Sequence, residues 1–286
     1  MSGNQKCFKS GDDRFLSFTF ILFYFEICKL NYPVRWSLIN LLINSYLFFP
    51  LFIIRVNENL GLTIMHTLFM REHNRIARKL SALNPHWNDN EIFEETRKII
   101  GAQMQHITYN ELLPSVLGEE TIDNYGLRLF KDGFYRQYDM NINPTMENAV
   151  ANSVFHFLFT TMPSAMEKYS KELHMIGLTK MSESFFNPNE LYTNKLDEYL
   201  MGMVSQNAKS SDPFVTDEMT NGLINMTNKE AFDFVAYAIQ QGRDHGLPGY
   251  VEYRRACQIE PIINRFEDLS TTMRNDVLKR LSSLYR

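Results

Sequence analysis

Few positions in this chain could do chemistry by type and spacing. Arg55 and Glu58 stand three residues apart, a cation beside a carboxylate. An arginine can stabilise negative charge that develops during bond cleavage, and a carboxylate can form an ester or cap a helix. On their own, the pair reads first as a surface arginine and a capping glutamate. His66 and His73 fall in one helical stretch and read as polar groups satisfied in the core. His156 stands in the aromatic run Phe155-His156-Phe157-Leu158-Phe159. A neutral imidazole there could ligate a metal, but a core or partly exposed histidine is the simpler expectation. The last constellation is Arg243-Asp244-His245, closed by Gly242 and Gly246. No set of residues has the spacing of a metal cluster.

Helices must position these groups. Leu62, Met65, Leu68, Phe69, Ile76, Leu80 and Leu83 recur mostly at spacings of three and four, which gives one apolar face. Asn84-Pro85 stops that helix. Asn88 with Glu91 predicts a capping box at the start of a second helix through Ile107, and Leu112-Leu113-Pro114 is expected to break it. Residues 126–143 read as irregular. Further helices are expected over Met146–Thr161, Leu196–Val204, Lys229–Gln241, Tyr250–Ala256 and Met273–Tyr285. Convincing alternating strands are absent, so the class is mainly α.

Composition sets limits. The chain has 286 residues, 44% hydrophobic and 22% charged, with net charge -4. That is an ordinary soluble balance, with no basic field for nucleic acid. Three cysteines, Cys7, Cys28 and Cys257, are too few for a disulfide scaffold and leave at least one thiol unpaired within the chain. Asn225-Met226-Thr227 is a glycosylation sequon, relevant only to a secreted chain. The first 54 residues differ in character. Phe15–Phe25 is almost wholly apolar, and Trp36–Ile54 has no charged residue. The second run is near the ~20 residues a membrane span requires, though Asn40, Asn44 and Pro50 weaken that reading. A secretory signal is a poor match too, because the first apolar run starts late, after Asp12-Asp13, and has no clean small-residue cleavage site.

Three segments carry a resemblance. They are Arg55-Val56-Asn57-Glu58 with Met65-His66-Thr67-Leu68 and Arg71-Glu72-His73-Asn74-Arg75; Arg97-Lys98-Ile99-Ile100-Gly101-Ala102 leading to Leu113-Pro114; and Gly242-Arg243-Asp244-His245-Gly246-Leu247-Pro248-Gly249-Tyr250 with Arg254-Arg255-Ala256-Cys257. In order and spacing they resemble the animal haem peroxidase family. The resemblance implies a helical fold around one haem, extracellular location, and peroxide-dependent oxidation of halides or small phenols. It implies a catalytic role for Arg55 as the distal arginine and a cofactor-binding role for Glu58 as the haem-esterifying carboxylate. It also implies a proximal histidine as iron ligand, a partner that holds it, and a distal histidine that moves a proton.

Several of those parts are replaced here. The distal-histidine segment has no counterpart, nor does the calcium loop expected beside it. The proximal motif aligns best with Phe155–Thr161, which places Phe159 at the iron-ligand position and His156 at that of a propionate-pairing arginine. Ala238 falls where the histidine's Asp or Asn partner is expected, and Gln241 where a second propionate arginine is expected. Arg243, Asp244 and His245 persist as structural residues. The resemblance therefore implies an inactive pseudo-peroxidase or fragment, truncated at both ends. A working haem peroxidase with a non-standard axial ligand is the alternative.

The family's segment Gly-Asp-x-Arg runs directly into x-Asn-Glu. Here Gly11-Asp12-Asp13-Arg14 and Arg55-Val56-Asn57-Glu58 are its halves, separated by about forty apolar residues. Three parts are expected: a family-like fragment at 1–14, an apolar insertion at 15–54, and a partial peroxidase-like domain at 55–286. The insertion reads as a translated intron or a gene-model error, or alternatively as a real membrane segment. Either Arg14 or Arg55 could be the original distal arginine.

Overall fold

The computed structural model describes residues 54–136, 138–143, 145–193, 195–223 and 232–285, with the side chains of Ile54 and Arg55 outside that set. The expectations for residues 1–53 and for the Asn225 sequon lie outside the described residues. Among the described residues, no helix is long and apolar enough to cross a membrane.

A 3-10 turn, Ile54–Asn57, leads into the central helix α1, Leu60–Leu83. Asn59 caps it by accepting from the Leu62 N–H at 2.9 Å, and the Thr63 hydroxyl donates back to the Val56 carbonyl at 2.7 Å. The chain leaves at Asn84-Pro85, as the sequence predicts. Helix α2, Asp89–Ile107, begins with the expected capping box: the Asn88 side chain accepts from the Glu91 N–H at 3.0 Å, and the Glu91 carboxylate accepts from the Asn88 N–H at 2.8 Å. Pro114 does not break the run that follows. The chain passes through a π turn, Thr108–Leu112, into α3, Leu113–Leu117. The proline sits in the first turn, where no N–H is required of it. Gly118, at φ +77°, ends α3 and starts α4, Glu119–Asn124.

The helix expected over Met146–Thr161 is two pieces. Helix α5 spans Asn148–Asn152, Ser153 breaks it at φ −143°, and Val154–Thr161 winds as 3-10 helix. Valine and aromatic side chains lose rotamer freedom in a helix, and Met162-Pro163 forbids continuation.

A hairpin follows that sequence reading missed: β1, Ala165–Tyr169, paired antiparallel with β2, Met175–Lys180. Its strands lack clean alternation because β1 is half-buried on both faces while β2 is mostly exposed. Then come α6, Met181–Ser184, a 3-10 turn at Asn189–Thr193, and α7, Leu196–Ser205. Short helix α8, Asp217–Thr220, precedes α9, Phe234–Asp244, which starts five residues later than expected. Asp233 caps α9, accepting from the Val235 and Ala236 N–H groups. Helices α10, Tyr250–Ala256, and α11, Asn275–Leu284, fall where predicted.

Helix α1 organises the core. One face packs Met65, Phe69 and Ile76 against Ile100 and Met104 of α2. The other packs Leu60 and Ile64 against Leu196 and Tyr199 of α7. Helix α7 in turn lies directly on β1. Gly202 permits this, since a Cβ there would stand 1.8 Å from the Glu167 carbonyl oxygen.

Candidate functional site

Phe159 and the elements around it form the natural centre of a site. In a 3-10 helix, residues three apart eclipse. His156 and Phe159 therefore face the same way, with ring centroids 5.6 Å apart. Phe234, the first residue of α9, completes the group. Its ring lies 4.3 Å from Phe159 and 6.1 Å from His156, the latter edge-on. At about 2.0 Å rise per residue, His156 stands roughly 6 Å from Phe159 along the helix. Burial pushes the His156 imidazole below its ordinary pKa, which favours its neutral form.

Helix α9 meets α5 through a polar clasp. The Gln241 amide donates to the Asn152 side-chain oxygen at 2.8 Å. His245 Nδ1 lies 2.8 Å from Asn148 Oδ1 and 3.2 Å from Asn152 Nδ2. One ring nitrogen cannot donate to the first and accept from the second in the same tautomer, so the two contacts alternate. His245 is thus a structural tie, as expected for the Gly242–Gly246 segment. Sequence reasoning missed Asn148 and Asn152; their i,i+4 spacing on α5 was the available signal.

The other singled-out residues lie on the Ile54–Asn57 turn, on α1 and between them. Glu58 is placed by its backbone, whose carbonyl accepts the Phe186 N–H at 3.3 Å. Arg55 belongs to the adjoining 3-10 turn. His66 binds the Leu62 carbonyl through Nδ1 at 2.8 Å, and burial pushes its pKa down to about 4. His73 stacks obliquely on Phe93 at 5.6 Å, and burial lowers its pKa too. Cys257 is disulfide-bonded. Among the described residues no group of three His, Cys, Asp or Glu side chains could hold a metal ion.

A second polar centre also escaped sequence reading. Tyr199 is fully buried. Its hydroxyl meets the Thr179 hydroxyl at 2.7 Å and donates to Glu190. Lys168 reaches the same carboxylate at 3.2 Å and Lys195 at 3.5 Å. Burial pushes the Glu190 carboxyl up, but the Tyr199 hydrogen bond and the two lysines outweigh it and hold the group below its usual range. Burial and Glu190 raise the Tyr199 phenol. The network joins β1, β2, the Asn189–Thr193 turn and α7.

A mostly helical fold carrying this ordered set of motifs defines the class. The family profile described as animal haem peroxidase matches residues 48–286, and the chain belongs to that family. It is 39% identical over 237 residues to the peroxidasin homolog of Homo sapiens and 36% identical over 238 residues to peroxidasin of Drosophila melanogaster. These alignments cover 81% of this chain but 16% and 15% of those proteins. Thyroid peroxidase of Homo sapiens is 34% identical over 240 residues, 25% of its length. Among solved structures, peroxidase A from Dictyostelium discoideum superposes with a TM-score of 0.70 at 30% identity, covering 81% of this chain and 42% of that one. Oryza sativa fatty acid alpha-dioxygenase shares the fold at a TM-score of 0.61 and 17% identity. The family's cofactor is haem. Where the family pattern puts the iron's imidazole, this structure has the Phe159 ring against Phe234. Where it puts a propionate cation, Gln241 is tied to Asn152. Those side chains do not fit the group.

Proposed function

We propose that this chain is a pseudo-peroxidase: a member of the haem peroxidase family that does not itself reduce hydrogen peroxide. The observation that carries the reading is Phe159, packed 4.3 Å from Phe234 at the position matching the family's iron ligand. A phenyl ring has no lone pair to give iron, and a metal–nitrogen bond of about 2 Å tolerates no displaced donor. Ala238 offers a methyl group where the ligand's hydrogen-bonding partner would stand. On this reading Arg55 and Glu58 are inherited from a distal arginine and an esterifying carboxylate without their former work. The family's reactants, hydrogen peroxide and a small phenol or halide, then find no turnover here. Residues 15–54 are an apolar insertion between the halves of one ancestral motif, and 55–286 a peroxidase-like domain. Extracellular location follows the family.

A working enzyme with His156 as the non-standard axial ligand is the second reading. One observation favours it: His156 is the imidazole beside Phe159, and burial favours its neutral, donor-competent form. Expression in haem-supplemented cells, followed by peroxide-dependent oxidation of a phenol, tests the proposal. The expected rate is that of the same amount of free haem. A protein-dependent rate abolished by His156→Ala would establish the second reading instead.

A further inference from the structure

Arg254 poses an electrostatic problem distinct from the haem question. It lies on α10 and is 9% exposed. Its guanidinium sits over the Tyr250 ring at 5.7 Å. Nη1 donates to the Tyr250 hydroxyl at 3.2 Å, and Nη2 to the Ile259 and Pro261 carbonyls at 3.3 and 3.1 Å. All three acceptors are neutral. Nε is buried and donates to nothing. An arginine has five N–H donors, so two remain, one on Nε and one on Nη1. Among the described residues no carboxylate pairs with it, whereas neighbouring Arg255 is paired with Glu252 at 2.7 Å. A buried charge without a counter-charge is strongly unfavourable.

The same arginine lines a cleft of about 320 Å³ between α10 and residues 257–263. Its walls include Val251, Ile259, Ile262 and Ile263. We propose that this cleft binds a small aliphatic carboxylate, with Arg254 supplying the counter-charge and the apolar wall holding the hydrocarbon chain. Arg255, already neutralised by Glu252, and Glu260 also line the cleft, Glu260 with one carboxylate oxygen accepting the Ile262 N–H at 3.1 Å. The negative charge of Glu260 disfavours a dianion such as phosphate and limits the ligand to a single charge. The volume lies at the lower end of small-molecule pockets.

Titration of the full chain with butyrate, acetate and inorganic phosphate, followed calorimetrically, tests this. Butyrate is expected to bind saturably and about ten-fold tighter than acetate, because two more methylenes are buried. Phosphate is expected to bind more weakly than either. Glu260→Gln keeps an oxygen for the Ile262 N–H and should tighten butyrate binding by about three-fold through removal of a like charge. Val251→Trp should fill the cleft and abolish binding while the unliganded melting temperature stays at the wild-type value. No saturable butyrate binding up to about 50 mM, which would leave Arg254 as a staple of the 257–263 loop alone, would overturn the proposal. So would preference for phosphate, or indifference to both substitutions.

Discussion

Replacing Gly202 with alanine should be among the most damaging single-methyl changes in the described fold. The added Cβ would stand 1.8 Å from the Glu167 carbonyl oxygen and 2.9 Å from its carbon. Ordinary contact begins near 3.4 Å, so α7 must retreat from β1 by about 1.6 Å, the difference of the two contacts. The obstacle is backbone on a paired strand and cannot rotate aside. Overpacking of this kind costs about 1–3 kcal/mol. The retreat also stretches two bonds made by Gln206, from the Glu167 N–H at 3.1 Å and to the Ala165 carbonyl at 2.8 Å, each worth about 1 kcal/mol. Better helix propensity returns about 1 kcal/mol. The net loss is about 2–4 kcal/mol, roughly 5–12 °C in melting temperature for a domain of this size. Urea unfolding followed by circular dichroism measures it. Gly177→Ala is the control, since its Cβ meets only the flexible Lys168 side chain at 3.1 Å and should cost less than about 1 kcal/mol. A Gly202→Ala protein within about 0.5 kcal/mol of wild type would refute the close-approach argument.

Stability should fall on mild acidification. His66 has its pKa lowered from 6.5 to about 4, so the unfolded chain takes up a proton that the folded one refuses. The contribution is complete above 6.5 and is lost as pH drops toward 4, amounting to about 2 kcal/mol by pH 5. Burial of His73 acts in the same direction. A His66→Asn variant with a flatter stability profile between pH 7 and 5 is the expected result in urea titrations. Tyr199→Phe should cost about 1–3 kcal/mol by removing a buried hydroxyl shared by Thr179 and Glu190. A double-mutant cycle with Thr179→Val should show coupling above about 0.5 kcal/mol. Asn152→Ala removes partners of both Gln241 and His245. It should speed amide hydrogen exchange in Phe234–Asp244 while leaving α1 and α2 unchanged.

The sequence disclosed those parts of the fold that depend on local rules. The Asn88–Glu91 capping box and the stop at Asn84-Pro85 are written in side chains a few residues apart and appear as read, whereas the stripe of α1 holds at Met65, Phe69 and Ile76 but leaves Leu68 and Leu83 exposed, and Leu60 and Ile64 bury a second face. The β1–β2 hairpin was not legible, because its half-buried faces are set by α7, whose approach depends on Gly202. The break at Ser153 was hidden because the stretch has helical content on either side of it. Motif order singled out Phe159, Ala238 and Gln241, whereas the meeting of Phe159 with Phe234 is tertiary information. The Asn148–Asn152–His245 clasp shows locally only the i,i+4 spacing of its two asparagines, and its link to His245, like the Tyr199–Glu190–Lys168 network, joins residues distant in sequence.

Equilibrium titration of the purified chain with haem, read at the Soret band, bears most directly on the ligand position. With a phenyl ring at 159 and its neighbours engaged elsewhere, absorbance should rise without a stoichiometric end point, as for loosely associated haem. A sharp one-to-one complex with the spectrum of imidazole-ligated iron, lost on His156→Ala, would contradict the assignment of this chain as a haem-free member of its family.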